Sequence, residues 1–164
     1  MRGAGVGEGI NKDEFVALVH ENQVAMYRLA LGILKNETDA EDAVSETITK
    51  AYIHLGKIRN PEKFKSWILT ILSNESKTIL QKRKKIELVE DVSFFEETTP
   101  EKNDELWSAV MSLHERFGKV VILYYYNGFS TKEISKILKI SEGTVKSRLS
   151  RARGKLKDIL NISE

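Results

Sequence analysis

The sequence predicts an all-α protein: two small helical domains joined by a flexible linker, the second domain a helix-turn-helix. Three observations carry this reading. Apolar residues recur at steps of three and four along most of the chain, and no segment alternates strictly over more than a few residues. Helix start and stop signals punctuate these stretches. Two prolines and ten glycines in 164 residues leave few of the turns that an all-β design needs.

In chain order, Phe15, Leu18, Val19, Met26, Leu29, Ala30, Ile33 and Leu34 mark one long helix or two in tandem, with a weak point near Asn22. Thr38-Asp39-Ala40-Glu41 reads as a capping box, in which the Thr hydroxyl takes an orphan backbone N–H and the Glu carboxylate reaches back. Its helix is expected to run to about Leu55, with Ala40, Val44, Ile48, Ala51, Tyr52 and Leu55 inward and Gly56 as the stop. Asn60-Pro61 opens the next helix, since Asn caps and Pro is pre-set for the first helical position. That helix carries Phe64, Trp67, Ile68, Ile71, Leu72 and Ile79 and ends in Gln81-Lys82-Arg83-Lys84-Lys85. Residues 86–99 lose the helical period, turn acidic and read as a linker. Thr99-Pro100 restarts a helix with Leu106, Val110 and Leu113 inward, and a second runs from about Glu115 to Tyr126, stopped by Asn127-Gly128. Ser130-Thr131-Lys132-Glu133 is another capping box over a short helix with Ile134, Ile137 and Leu138. A turn at Lys139-Ile140 leads to Ser141, the N-cap of a last helix that reaches about Leu160. The domains are thus expected at 10–85 and 100–162.

Composition removes several function classes. The chain has no cysteine, which excludes a disulfide scaffold, a Cys-ligated zinc finger, an iron–sulfur site and a thiol nucleophile. His20, His54 and His114 are too scattered for a local metal cluster. With no phosphate-cradling Gly loop either, neither a metal, a cofactor nor an enzyme is expected. No apolar run approaches the ~18 residues of a membrane span. The first nine residues hold glycine at 3, 5, 7 and 9 and no apolar stretch, so they read as a flexible tail or a non-native addition rather than a signal peptide. A cytoplasmic protein with no membrane insertion of its own follows.

Charge is segregated. The formal net charge of +2 conceals an acidic block at 13–46 (net −6), a basic block at 57–85 (net +7), an acidic block at 86–106 (net −7) and a basic block at 132–157 (net +7). A merely solvated surface interleaves its signs. Two separate basic blocks point to two anion-facing surfaces, with nucleic acid as the usual polyanion.

The sharpest signal is residues 130–157: a short capped helix, a tight turn and a second capped helix, the helix-turn-helix arrangement. From Thr144 to Lys157 the second helix carries Lys146, Arg148, Arg151, Arg153, Lys155 and Lys157 and no acid. Its small polar opening, Ser141-Glu142-Gly143-Thr144, suits a helix N-terminus that enters a major groove while flanking bases hold phosphates.

Leu113-His114-Glu115-Arg116-Phe117 through Leu160, with Ser141-Glu142-Gly143-Thr144-Val145-Lys146-Ser147-Arg148-Leu149 and Arg151-Ala152-Arg153 inside it, resembles region 4 of an extracytoplasmic-function (ECF) sigma factor of bacterial RNA polymerase, in the sigma-70 family. Asp39-Ala40-Glu41-Asp42-Ala43-Val44-Ser45-Glu46-Thr47 resembles the region 2 signature, and Phe64-Lys65-Ser66-Trp67 with Asn74 the adjoining melting segment. The resemblance implies a non-enzymatic factor that binds core RNA polymerase and promoter DNA, held in check by an anti-sigma factor. It assigns polymerase binding to Asp39, Glu41, Asp42, Ser45 and Glu46. It assigns minus-10 DNA to Lys57, Arg59, Lys63, Lys65, Trp67, Asn74, Lys82 and Arg83. Minus-35 DNA falls to Thr144, Lys146, Ser147, Arg148, Arg151, Arg153 and Lys155.

The bottom-up chemistry fits these roles. An acidic helix start suits both the helix dipole and a basic partner. A base drawn out of its stack needs a pocket with cations nearby. Trp67, three residues after Phe64 and four before Ile71, is better placed for core packing than for base stacking, and Tyr124–Tyr126 read as core and rim of the second domain. The chain departs from the family pattern at Ser45, where Gln is usual, at Thr78 and Ile79, where Asp and a polar residue are frequent, and at Lys139, where Gly is common. A positive φ at Lys139 would cost on the order of 1 kcal/mol. Glu75 falls among Ile68, Ile71 and Ile79 on the apolar side, either partly buried against a cation or marking a polar seam. The rival of another class is a dimeric helix-turn-helix regulator, which would need an α/β receiver or effector domain.

Overall fold

The computed structural model describes residues 9–90 and 104–162. Among the described residues seven α-helices follow in order: α1 (Lys12–Leu34), α2 (Glu37–Ile53), α3 (Phe64–Glu90), α4 (Glu105–Ser112), α5 (Glu115–Val121), α6 (Thr131–Leu138) and α7 (Glu142–Leu160). Two 3₁₀ turns, Leu55–Lys57 and Pro61–Lys63, join α2 to α3, and a π-helical turn, Ile122–Tyr126, prolongs α5. Among the described residues there is no strand.

Helices α1, α2 and α3 pack on one another as the first domain. Helix α1 is unbroken at its weak point, because Asn22 turns its side chain back and donates Nδ2–H to the Leu18 carbonyl at 2.8 Å. Leu34 is the last helical residue, Lys35 takes the left-handed conformation (φ 55°), and Asn36 caps α2 by accepting from the Asp39 N–H at 2.8 Å. The Thr38 capping box therefore does not form, and Thr38 lies inside the first turn. Asn is a stronger cap than Thr, and the turn of α1 delivers it first. Helix α2 ends at Ile53, and Leu55 and Gly56 form a 3₁₀ turn instead. Asn60 does cap, accepting from the Glu62 N–H at 3.0 Å, with Pro61 in the first position. Helix α3 then outruns its expected end at Lys85 and reaches Glu90, since neither Gly nor Pro interrupts that stretch. The Thr99-Pro100 restart and residues 91–99 lie outside the described residues. The next described helix start is Asp104, whose carboxylate accepts from the Trp107 N–H at 3.0 Å.

Helices α4 to α7 form the second domain around Trp107, Val110, Phe117, Val120, Leu123, Ile134, Ile137, Val145, Leu149 and Ala152, all buried. The Ser130–Glu133 capping box is complete. Lys139 has φ 56° and makes the tight turn, and Ser141 caps α7, accepting from the Thr144 N–H at 3.1 Å. The two domains touch. The end of α1 meets α5 and the π-helical turn, and the start of α3 meets the loop before α6.

The inner face of α2 is built of small residues: Ala40, Ala43, Thr47 and Ala51 are all fully buried, so its backbone can approach α1 and α3 closely. Two hydroxyls in this domain, Thr47 Oγ1 and Ser76 Oγ, have no hydrogen-bond partner among the described residues although both side chains are fully buried. An unsatisfied buried hydroxyl forfeits ~1–3 kcal/mol of hydration. Thr47→Val and Ser76→Ala are therefore expected to raise the thermal midpoint, each by about 2–4 °C per kcal/mol recovered. A lowered midpoint in calorimetry for both variants would show that the hydroxyls are paired in solution.

Candidate nucleic-acid interface

The second helix of the helix-turn-helix presents its cations unequally. Lys146, Ser147, Arg151, Arg153 and Lys155 are exposed, while Thr144 and Arg148 are half-buried. The Thr144 hydroxyl lies 2.7 Å from that of Ser141 and belongs to the cap. Lys146 lies 3.7 Å from the Glu142 carboxylate one turn earlier. Glu142 also accepts from the Thr131 hydroxyl at 2.9 Å, which ties the start of α7 to the start of α6 and helps fix their angle. Arg153 leans on Tyr125, donating Nε–H to its hydroxyl at 2.6 Å, with the guanidinium 5.9 and 5.7 Å from the Tyr124 and Tyr125 ring centres. Lys155 folds its ammonium to 5.3 Å from the Phe117 ring centre. Glu142 and Tyr125 were not among the expected functional residues. Glu142 showed only as part of the small polar opening of the last helix, and Tyr125 only as one of three tyrosines.

On the first domain, Lys57, Arg59 and Lys63 are exposed around the two 3₁₀ turns, and Asn74 and Lys82 are exposed along α3. Lys65 is half-buried and turned toward the second domain, where it donates to the Asn127 carbonyl at 3.1 Å and lies 5.4 Å from the Phe129 ring centre. Trp67 is half-buried against Phe64, ring centres 5.8 Å apart, as the core-packing alternative required. Arg83 is turned inward and donates to Asp39 at 3.0 Å, so one expected DNA contact and one expected polymerase contact hold α2 to α3 instead of standing free.

The acidic side of α2 is the clearest patch: Glu41, Asp42, Ser45 and Glu46 are all exposed. Burial, then Glu37 and Glu41, push the Tyr27 hydroxyl above its ordinary pKa beside this patch. Glu75 resolves in favour of a cationic partner: it is held by the Lys50 ammonium across the α2–α3 seam, and that hydrogen bond holds Lys50 above its usual range. Among the described residues no group of His, Cys, Asp or Glu is arranged to hold a metal, and no helix is long and apolar enough to cross a membrane.

Fold and site together define a two-domain helical protein with a helix-turn-helix and a separate helix with an exposed acidic face. Residues 18–86 match the sigma-70 region 2 family, and residues 103–156 match sigma-70 region 4. The RNA polymerase sigma factor SigV of Bacillus subtilis is 34% identical over 84% of this chain and 85% of its own. The ECF RNA polymerase sigma factor SigM of the same organism is 31% identical over 83% of this chain and 88% of its own. Among solved structures, the sigma factor RpoE from Bartonella quintana, in complex with the anti-sigma factor NepR, superimposes with a TM-score of 0.78 at 27% identity, covering 93% of this chain and 98% of that one. CnrH, in complex with the cytosolic domain of CnrY, gives 0.66 at 25% identity over 94% of this chain and 92% of that one. The chain belongs to the ECF sigma factors of the sigma-70 family. The rival regulator is not favoured, because region 2 occupies the stretch where a receiver domain would lie.

The Arg83–Asp39 tie is testable by itself. Alanine at each position, singly and together, should give a coupling energy of about 1 kcal/mol in urea unfolding, near the top of the range for accessible ion pairs because both side chains are partly buried. Strict additivity would show that the pair does not form in solution.

Proposed function

We propose that the two charge-segregated domains divide the work of promoter recognition. The acidic face of α2, Glu41, Asp42, Ser45 and Glu46, docks on a basic surface of core RNA polymerase, with Asp39 anchored to Arg83 behind it. The turns between α2 and α3 bring Lys57, Arg59 and Lys63, with Lys65 and Trp67 beside them, to a base drawn from the minus-10 strand, while Asn74 and Lys82 follow its backbone. Helix α7 reads the minus-35 duplex. The observation that carries this reading is the exposed row Lys146, Ser147 and Arg151 in the first half of α7, with Arg153 and Lys155 beyond it. Of the two arginines able to reach a base edge, Arg151 is exposed and Arg148 half-buried, so Arg151 takes the groove. Arg153, fixed by Tyr125, and Lys155 take phosphates.

The rest of the reading follows from family and layout. The factor acts by differential binding, not catalysis, and works in the cytoplasm beside the polymerase. The division at 10–85, 86–99 and 100–162 is supported by the two region matches, with the last helix of the first domain extended to Glu90. An anti-sigma factor is the expected protein partner, since the superimposed sigma factor RpoE was solved with one.

The test is run-off transcription by core polymerase from promoters that differ only in their minus-35 bases. A base-edge contact discriminates by ~1–3 kcal/mol, whereas a phosphate contact adds affinity without sequence. Arg151→Ala should flatten the minus-35 preference. Lys155→Ala should lower all promoters alike and reduce the log–log salt slope by roughly 0.9. Asp42→Arg with Glu46→Arg should abolish activity on every promoter and pull-down of core polymerase. Equal losses from Arg151→Ala and Lys155→Ala on all promoters would place the readout elsewhere.

A further inference from the structure

Two cations in the second half of α7 are held in ways that their own helix does not explain. Arg153 and Lys155 are two residues apart, and at about 3.6 residues per turn they leave α7 on opposite flanks. Both are exposed, and neither has a carboxylate partner among the described residues. Each lies instead against an aromatic ring supplied by α5 or by its π-helical turn. Gly154 stands between them with open space where a Cβ would point, so no side chain separates the two flanks on the outer face.

The Arg153 flank is a preset group of donors. The Tyr125 hydroxyl accepts from Nε, which leaves the terminal nitrogens of the guanidinium without a partner among the described residues. Tyr125 is 53% exposed and is held edge-on by Tyr124, ring centres 4.9 Å apart. Its own O–H has no acceptor among the described residues, so guanidinium and phenol offer donors side by side. Both tyrosines sit in the π-helical turn, a rare element that concentrates at functional sites. An exposed arginine normally loses its rotamer freedom on binding; Tyr125 has removed part of it beforehand. The Lys155 flank is a pair. Arg116, exposed at the start of α5, lies over the Phe117 ring with its guanidinium 4.9 Å from the ring centre, and the Lys155 ammonium lies 5.3 Å from the same point. Glu115, beside Arg116 in the chain, is taken by Lys119 at 3.2 Å. Two cations gathered on one ring with no carboxylate between them repel each other, and an anion placed between them relieves that repulsion.

We infer that α7 is flanked by two phosphate seats, one for each strand of the minus-35 duplex: Arg153 with the Tyr125 hydroxyl, and Lys155 with Arg116. The duplex itself rests on the function proposed above, in which α7 reads that element. What is added is that Arg116 binds DNA, that Tyr125 positions Arg153, and that the two strands are held separately. Phosphate is the ligand class because each seat offers only donors and positive charge, and a guanidinium fork matches two phosphate oxygens. The dimensions agree. A helix with its side chains is about 10–12 Å across and the major groove about 12 Å wide, so a helix lying in it has one backbone on each side. Held on both flanks, α7 cannot roll in the groove, and this fixes the angle at which Arg151 meets a base edge.

The test uses holoenzyme reconstituted from core polymerase and the full chain, bound to promoter duplexes in which one minus-35 phosphate at a time is replaced by an uncharged methylphosphonate. The parent should lose about tenfold in binding at each contacted phosphate, the scale of one hydrogen bond to a charged group, with sensitive positions on both strands. Arg116→Ala and Lys155→Ala should each weaken binding about tenfold, reduce the log–log salt slope by roughly 0.9, and lose sensitivity at the same positions on one strand. Arg153→Ala should do this on the other strand. Arg116→Lys should keep the sensitivity that Arg116→Ala loses. Tyr125→Phe keeps the ring and the charge of Arg153, so binding should weaken about threefold with the salt slope unchanged. Full sensitivity in Arg116→Ala overturns its seat while the minus-35 reading stands. Unchanged binding in Tyr125→Phe overturns the positioning of Arg153. Losses from Arg116→Ala and Arg153→Ala that map to one strand overturn the two-sided grip. A parent insensitive at every minus-35 phosphate places α7 away from that duplex, and overturns the reading and the seats together.

Discussion

The structure depends on the last two turns of α1 being apolar on every side. Leu29, Ala30, Leu31, Gly32, Ile33 and Leu34 are all buried, and a helix that is apolar all round must be covered all round. Helices α2 and α3 cover one side, which completes the first domain. The other side is covered by α5 and the π-helical turn of the second domain. One stretch of helix is thus a core element twice over. The turn at Lys35 and Asn36 that follows must reverse the chain in two residues without exposing it, which is why one is left-handed and the other is the cap.

From that base the charge layout follows. With α1 central, α2 and α3 lie on it with their polar sides outward. Helix α2 carries acids there and α3 carries bases. The seam between them is closed by crossed ties, Asp39 to Arg83 near one end and Lys50 to Glu75 further along. The first tie removes one acid and one base from the outer surfaces and leaves the acidic patch and the basic turns on separate ground. The second domain repeats the logic on a smaller scale. Glu142 joins Thr131 to hold the helix-turn-helix angle, and Tyr125 holds Arg153, so the cations of α7 project from a fixed support.

Local rules were legible in the sequence and long-range ones were not. The Ser130 capping box and the Ser141 cap were readable because each depends on four or five neighbouring residues, whereas the sequence left the sign of φ at Lys139 open. Thr38 was misread because its box has the right letters, while the competing cap at Asn36 depends on where α1 stops. The end of α3 was drawn too early because a run of lysines looks like an end although nothing in it breaks a helix. The site residues show the same limit. The charges of Lys65 and Arg83 were plain in the sequence, but their partners, Asn127 and Asp39, lie 62 and 44 residues away. The alternatives at Glu75 could be closed only by seeing Lys50 beside it. The run Ala25-Met26-Tyr27-Arg28-Leu29-Ala30-Leu31-Gly32-Ile33-Leu34 did hold a signal for the contact between the domains, since its apolar residues outnumber those one helix face can hold.

The central claim, that the free chain rests with its two domains closed on the end of α1, is tested most directly by small-angle X-ray scattering of the unlabelled protein at neutral pH. The account predicts a radius of gyration close to about 15 Å, the value for one compact body of this length. A value well above that, with a distance distribution showing two separated lobes, would contradict it.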